Sequence, residues 1–158
     1  MAQPEGINLN LIDYNGVIVS MVERASKLTK LVKVSHKTAE EVGRVIVERL
    51  APIKAFVHTL TADNGKEFAS HCKISVELSA AFYFATPYHS WERGLNEHTN
   101  GLVRQYFPKS QSFTALTLED VRRVEALLNN RPRKTLGFET PLETFDRLSS
   151  SMLHLRAQ

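Results

Sequence analysis

Cysteine occurs once, at Cys72, in a chain of 158 residues. A lone thiol excludes an internal disulfide framework and any zinc site built from several cysteines. Long hydrophobic runs are also missing. No stretch approaches the ~20 apolar residues of a membrane span, so no membrane partner is expected. The opening MAQPEGINLN carries neither the basic nor the apolar region of a secretory signal. Charge of one sign is weak too: 20 Lys and Arg face 17 Asp and Glu, a net charge of +3. That balance permits nucleic acid as a partner without demanding it. The six histidines include no His-x3-His pair of ligand spacing. No repeat or low-complexity tract breaks the chain. What remains is a length that suits one domain, residues 1–158, with enough apolar content to bury a core unaided. A cytoplasmic location is the expectation.

The first third reads as strands. Ile7-Asn8-Leu9-Asn10-Leu11 alternates apolar and polar residues, the period of a half-buried strand. Asn15-Gly16 is a hairpin turn signal, and the β-branched run from Val17 to Val22 suits a buried strand. Leu28 to Val34 gives a third strand. Thr38-Ala39-Glu40-Glu41 matches a capping box, and Val42, Val45, Ile46 and Leu50 follow at helical spacing until Pro52. Ala55 to Thr61 reads as a strand. A second helix is expected to carry Phe68, Cys72 and Val76 on one inward stripe, with Cys72 an inert core residue. Ala81-Phe82-Tyr83-Phe84 reads as a short strand.

The last third is helical. One helix is expected from near Ser90 to Phe107. Another is expected from Thr117 to Asn130, with Val121, Val124, Leu127 and Leu128 inward. A third opens on Thr140-Pro141-Leu142-Glu143. A three-strand meander followed by alternating α and β elements implies an α/β fold, a mixed five-stranded sheet flanked by helices.

Two segments could carry chemistry. Asp63-Asn64-Gly65 stands at the carboxyl end of a strand and before a helix, where open α/β sheets build their sites. Asp and Asn are also ordinary turn formers. The second segment, Trp91 to Gly101, accepts Gly94 and Gly101 inside an apparent helix, at about 1 kcal/mol each. There Glu97 shares a face with Arg93, Gly101 and Arg104.

The blocks ADNGKEF, PYHSWERGLNEHTNGLVRQYFPK and NNRPRKTLGFETPLETF occur in that order, with 33 residues between Asp63 and Glu97. Together they resemble the integrase-type core of bacterial insertion sequence family thirty transposases, over roughly Val19 to Phe145. The resemblance implies a ribonuclease-H-like fold. It implies a site in which three carboxylates bind two Mg²⁺ or Mn²⁺ ions for DNA strand cleavage and strand transfer. It makes Asp63 the second carboxylate and Glu97 the third. DNA is the implied partner, a homodimer the implied assembly, and no small-molecule substrate is implied. Lys66, Arg93, Arg104, Lys109, Arg131, Arg133 and Lys134 are candidates for phosphate contacts. His98 follows Glu97 and would flank the site, as an ordinary surface histidine also could.

One carboxylate of the implied set is missing. The family places its first Asp in the first strand. Matching the Glu-Gly context puts Ile7 at that position, and a retroviral-integrase hairpin length selects Leu9. Neither is acidic. Asp13 lies four to six residues later, on the order of 13–20 Å along a strand, a poor substitute. The site is therefore expected to be incomplete and its activity impaired. The alternative is a non-catalytic ribonuclease-H-like module kept for DNA binding or self-association. An RNA–DNA hybrid nuclease fits the third block less well. Nothing in the sequence ahead of the first strand reads as a helix-turn-helix domain for recognising element ends.

Overall fold

One alternating apolar–polar run and two runs rich in β-branched residues, separated by short polar breaks, pair as a meander. In the computed structural model, which describes residues 4–86 and 94–157, they form β1 (Ile7–Asp13), β2 (Val17–Glu23) and β3 (Thr29–Val34). The β1–β2 turn puts Asn15 at φ 65°, a left-handed conformation that Asn tolerates better than most residues. β4 (Thr59–Ala62) lies parallel to β1, and β5 (Ala81–Phe84) lies parallel to β4. The sheet order is β3-β2-β1-β4-β5. This is the mixed five-stranded sheet expected.

The alternation along β1 divides the interior into two cores. Ile7 and Leu9 join Leu60, Ala62, Ile46 and Ile74 on one face, under α1 (Ala39–Leu50) and α2 (His71–Leu78). Ile12 and Ile18 join Val103, Val121 and Leu128 on the other, under α3 (Gly94–Tyr106) and α4 (Leu118–Asn129). Asn129 ties α4 to the sheet. Its Oδ1 accepts from the Thr29 N–H at 2.8 Å and its Nδ2 donates to the Thr29 carbonyl at 2.7 Å. α5 (Pro141–Ala157) places Phe145 edge-on to Phe56, ring centres 5.7 Å apart.

The capping signals succeed in part. Thr140 and Glu143 exchange both hydrogen bonds of a box, as do Thr117 and Asp120. Thr38 accepts from the Glu41 N–H, but the Glu41 carboxylate lies 3.4 Å from His36 Nδ1 instead of closing the box.

Four expectations are corrected. The strand expected from Ala55 starts only at Thr59, because Ala51–Phe56 continue from α1 as a 3₁₀ turn. The expected stripe of Phe68, Cys72 and Val76 does not form. α2 starts at His71 and buries Ile74 and Leu78, one turn apart. Phe68 is buried from the preceding 3₁₀ turn, while Cys72 is exposed and Val76 is 77% exposed. Cys72 is therefore not a core residue. Leu127 likewise faces outward at 41% exposure, since the inward stripe of α4 is Val121, Val124 and Leu128. The expected start of the third helix near Ser90 lies outside the described residues.

Candidate active site

Asp63 directly follows β4 and is half-buried. Its position across the sheet follows from strand register. Ile7 pairs with Leu60 and Asn8 with Thr61. Carried on two residues, past the end of β4 at Ala62, that register would set Asn10 level with Asp63, about one strand spacing (~4.8 Å) away. Side chains alternate along both strands. Ile7, Leu9, Leu60 and Ala62 all face the α1–α2 core, so Asn8, Asn10 and Thr61 face the opposite side, towards α3, and the same alternation carried one residue past β4 would turn Asp63 that way.

Arg24, just beyond β2, confirms that face. Its Nη1 donates to Asn8 Oδ1 at 3.1 Å and to Thr61 Oγ1 at 3.2 Å. Its Nη2 reaches Thr59 Oγ1 at 3.0 Å and the Glu5 carbonyl at 3.2 Å. The neighbouring Glu23 is 1% exposed. Its carboxylate accepts from the N–H groups of Glu5, Ala25 and Ser26, more weakly from that of Gly6, and from the Ser26 hydroxyl. Glu23 and Arg24 together pin the entrance of β1 to β4.

α3 closes the site from above. Asn10 Nδ2 donates to Asn100 Oδ1 at 2.6 Å. Glu97 is exposed on the preceding turn, three residues from Asn100 and thus its neighbour on the helix surface. Asn96, 8% exposed, occupies the sheet-facing stripe of the same helix, and its Oδ1 has no hydrogen-bond partner among the described residues. The Asn10–Asn100 bond therefore ties β1 to α3 one turn from Glu97.

The two positions named for a first carboxylate, Ile7 and Leu9, are 2% and 0% exposed on the opposite face of the sheet. Neither position could present an acid to Asp63. Asp13 stands at the hairpin end, accepting from the Asn15 N–H and lying 3.8 Å from Lys37. The residues that counting missed are Asn8 and Asn10. Their signal was already in the sequence: they are the polar half of the β1 alternation.

Among the described residues, no three His, Cys, Asp or Glu side chains are grouped to hold a metal ion. The donors here are two carboxylates and several amides, which do not fit a three-carboxylate metal site.

The cations are dispersed. Lys66 is exposed on the turn after Asp63, Lys109 is exposed after α3, and Arg131 and Lys134 are exposed on the loop after α4. Arg104 is a structural residue. Its guanidinium lies 4.5 Å from the Tyr14 ring centre and donates to the Asp13 carbonyl at 3.3 Å. Burial raises the Tyr14 hydroxyl above its ordinary pKa, and Arg104 partly offsets that shift. Arg133 is half-buried and donates to the Leu128 carbonyl at 3.4 Å. Burial, then the charge of Arg131, lowers its pKa from the ordinary arginine value. Arg93 lies outside the described residues, and His98 is exposed. Beside Asn8 and Thr61 opens a groove of about 510 Å³ that carries Lys27 and the exposed rings of Tyr83 and Phe84.

No family model matches the sequence. Individual relatives do. The chain is 47% identical over 136 residues to the transposase for insertion sequence element IS4351 of Bacteroides fragilis. It is 39% identical over 134 residues to the transposase InsI for insertion sequence element IS30A of Escherichia coli (strain K12). These matches cover 86% and 84% of this chain but 42% and 35% of the relatives, so the chain spans less than half of either. In fold it is similar to the catalytic core domain of BIV integrase, at a TM-score of 0.67 and 22% identity, over 96% of this chain and 97% of that one. By sequence and by fold together, the chain is an integrase-type core homologous to part of the insertion sequence family thirty transposases.

Proposed function

We propose that the chain is the DNA-acting core of an insertion-sequence transposase whose strand cleavage and strand transfer are strongly impaired. What supports this reading is a DNG aspartate directly after β4 and a glutamate on α3, both in a chain 47% identical to a transposase. The impairment rests on the donor set, which is one carboxylate short of the implied metal site. DNA binding does not need that carboxylate. The exposed Lys66, Lys109, Arg131 and Lys134 can neutralise phosphates. The groove beside Thr61 offers a lysine with two exposed rings, a combination suited to unpaired bases near a DNA end. The same deficit favours the second reading, a non-catalytic module kept for DNA binding or self-association. Holding two element ends together would call for a homodimer.

Fluorescence anisotropy with a labelled 30-base-pair duplex (~10 helical rises per turn) tests the reading. Binding is expected to weaken steeply with salt, with a slope of log K against log salt near −0.9 per phosphate neutralised. Replacing Arg131 and Lys134 together by Glu is expected to weaken binding on all sequences alike and to flatten the slope by about 1–2. Absence of binding at low salt, or binding indifferent to salt, would overturn the proposal.

A further inference from the structure

We propose that Asn10 stands where the missing carboxylate would sit, so that Asn10→Asp alone turns the cluster of residue 10, Asp63 and Glu97 into a divalent-cation site. This rests on reading Asp63 and Glu97 as the acidic pair of the site.

Three observations converge on residue 10. The β1–β4 register, recorded for Ile7–Leu60 and Asn8–Thr61 and carried on two residues, brings it level with Asp63. The alternation of β1 turns it away from the core that holds Ile7 and Leu9. Its amide touches Asn100, one turn from Glu97. Asn and Asp have the same shape, so the exchange needs no new space. An amide presents a donor on one side and an acceptor on the other. A half-turn of the Asn100 amide therefore supplies the donor that a carboxylate at residue 10 requires. The buried Oδ1 of Asn96, without a hydrogen-bond partner among the described residues, adds an oxygen on the same helix stripe.

Asn8 shares the face but not the role. Its Oδ1 is held by Arg24 at 3.1 Å, so an acid there would form an ion pair with the guanidinium. In the native chain, an amide at residue 10 supplies only a neutral oxygen beside its N–H donors. Hard divalent cations take oxygen ligands and bind more tightly as carboxylates accumulate.

Calorimetric titration of the full chain with Mn²⁺ tests this. Asn10→Asp is expected to bind Mn²⁺ about 10- to 100-fold more tightly than the native protein, the range that even outer partners of a metal command. The gain is expected to vanish when Asp63→Asn is added, and Asn8→Asp is expected to show none. The proposal is overturned if Asn10→Asp, folded by circular dichroism, shows no gain, or if the native chain already binds as tightly. A gain at Asn8→Asp in its place overturns it too. So does loss of fold in Asn10→Asp, because the place must accept an acid. The two readings fail separately. A Mn²⁺ gain in a protein that does not bind DNA keeps the cation site and sinks the function proposed above, and DNA binding without the gain does the reverse.

Discussion

Leu9→Asp is expected to unfold the protein, while Asn10→Asp, one residue along the same strand, is expected to leave it folded. Leu9 is 0% exposed and packs within the cluster of Ile46, Leu60 and Ile74. Removing a buried leucine costs about 2–5 kcal/mol. A carboxylate without a partner in that place adds several more, by desolvation. The sum rivals the roughly 5–15 kcal/mol that holds a domain together. Asn10 faces α3, where an amide already waits, and its exchange for an acid is expected to shift the melting temperature by only a few degrees. Thermal melts followed by circular dichroism check both. A cooperative melt of Leu9→Asp near that of the native protein would show that β1 presents the other face to the core.

Glu23→Ala is expected to be the most damaging truncation outside the apolar core. One carboxylate there serves the N–H groups of Glu5, Ala25 and Ser26 and the Ser26 hydroxyl, at 2.6–3.0 Å. Each buried donor left without an acceptor costs about 1–3 kcal/mol. A total near 4 kcal/mol corresponds to a fall of about 8–16 °C in melting temperature for a chain of this size. Glu23→Gln keeps one acceptor and is expected to fall between. The damage should reach the candidate site, because Glu23 and Arg24 hold the start of β1 against β4. A melting temperature of Glu23→Ala within about 3 °C of native, roughly 1 kcal/mol, would show that water replaces the carboxylate freely.

Much of this architecture is written in local sequence. The meander is legible because β1 alternates apolar and polar residues, β2 is a β-branched run, and the Asn15-Gly16 break admits a left-handed residue. The last two helices are legible because Thr117 and Thr140 carry their acidic partners three residues on. α2 was misread because eight residues hold two overlapping stripes. Ile74–Leu78 and Cys72–Val76 are spaced alike, and only packing against α1 decides between them. Asp63 and Glu97 stood out by their motifs. The first-carboxylate position did not, because counting back across a hairpin needs its length, and a slip of one residue moves every side chain to the other face. Both counted positions, Ile7 and Leu9, share the wrong parity. The alternation of β1, taken alone, already assigned Ile7 and Leu9 to the core and left Asn8 and Asn10 for the site.

On the function proposed above, the native chain lacks a working cleavage site. The decisive experiment incubates the native chain with element-end DNA and Mg²⁺ or Mn²⁺, beside Asp63→Asn. The two proteins are expected to cut at the same background rate. Robust metal-dependent cutting by the native chain, abolished by Asp63→Asn, would contradict the proposal.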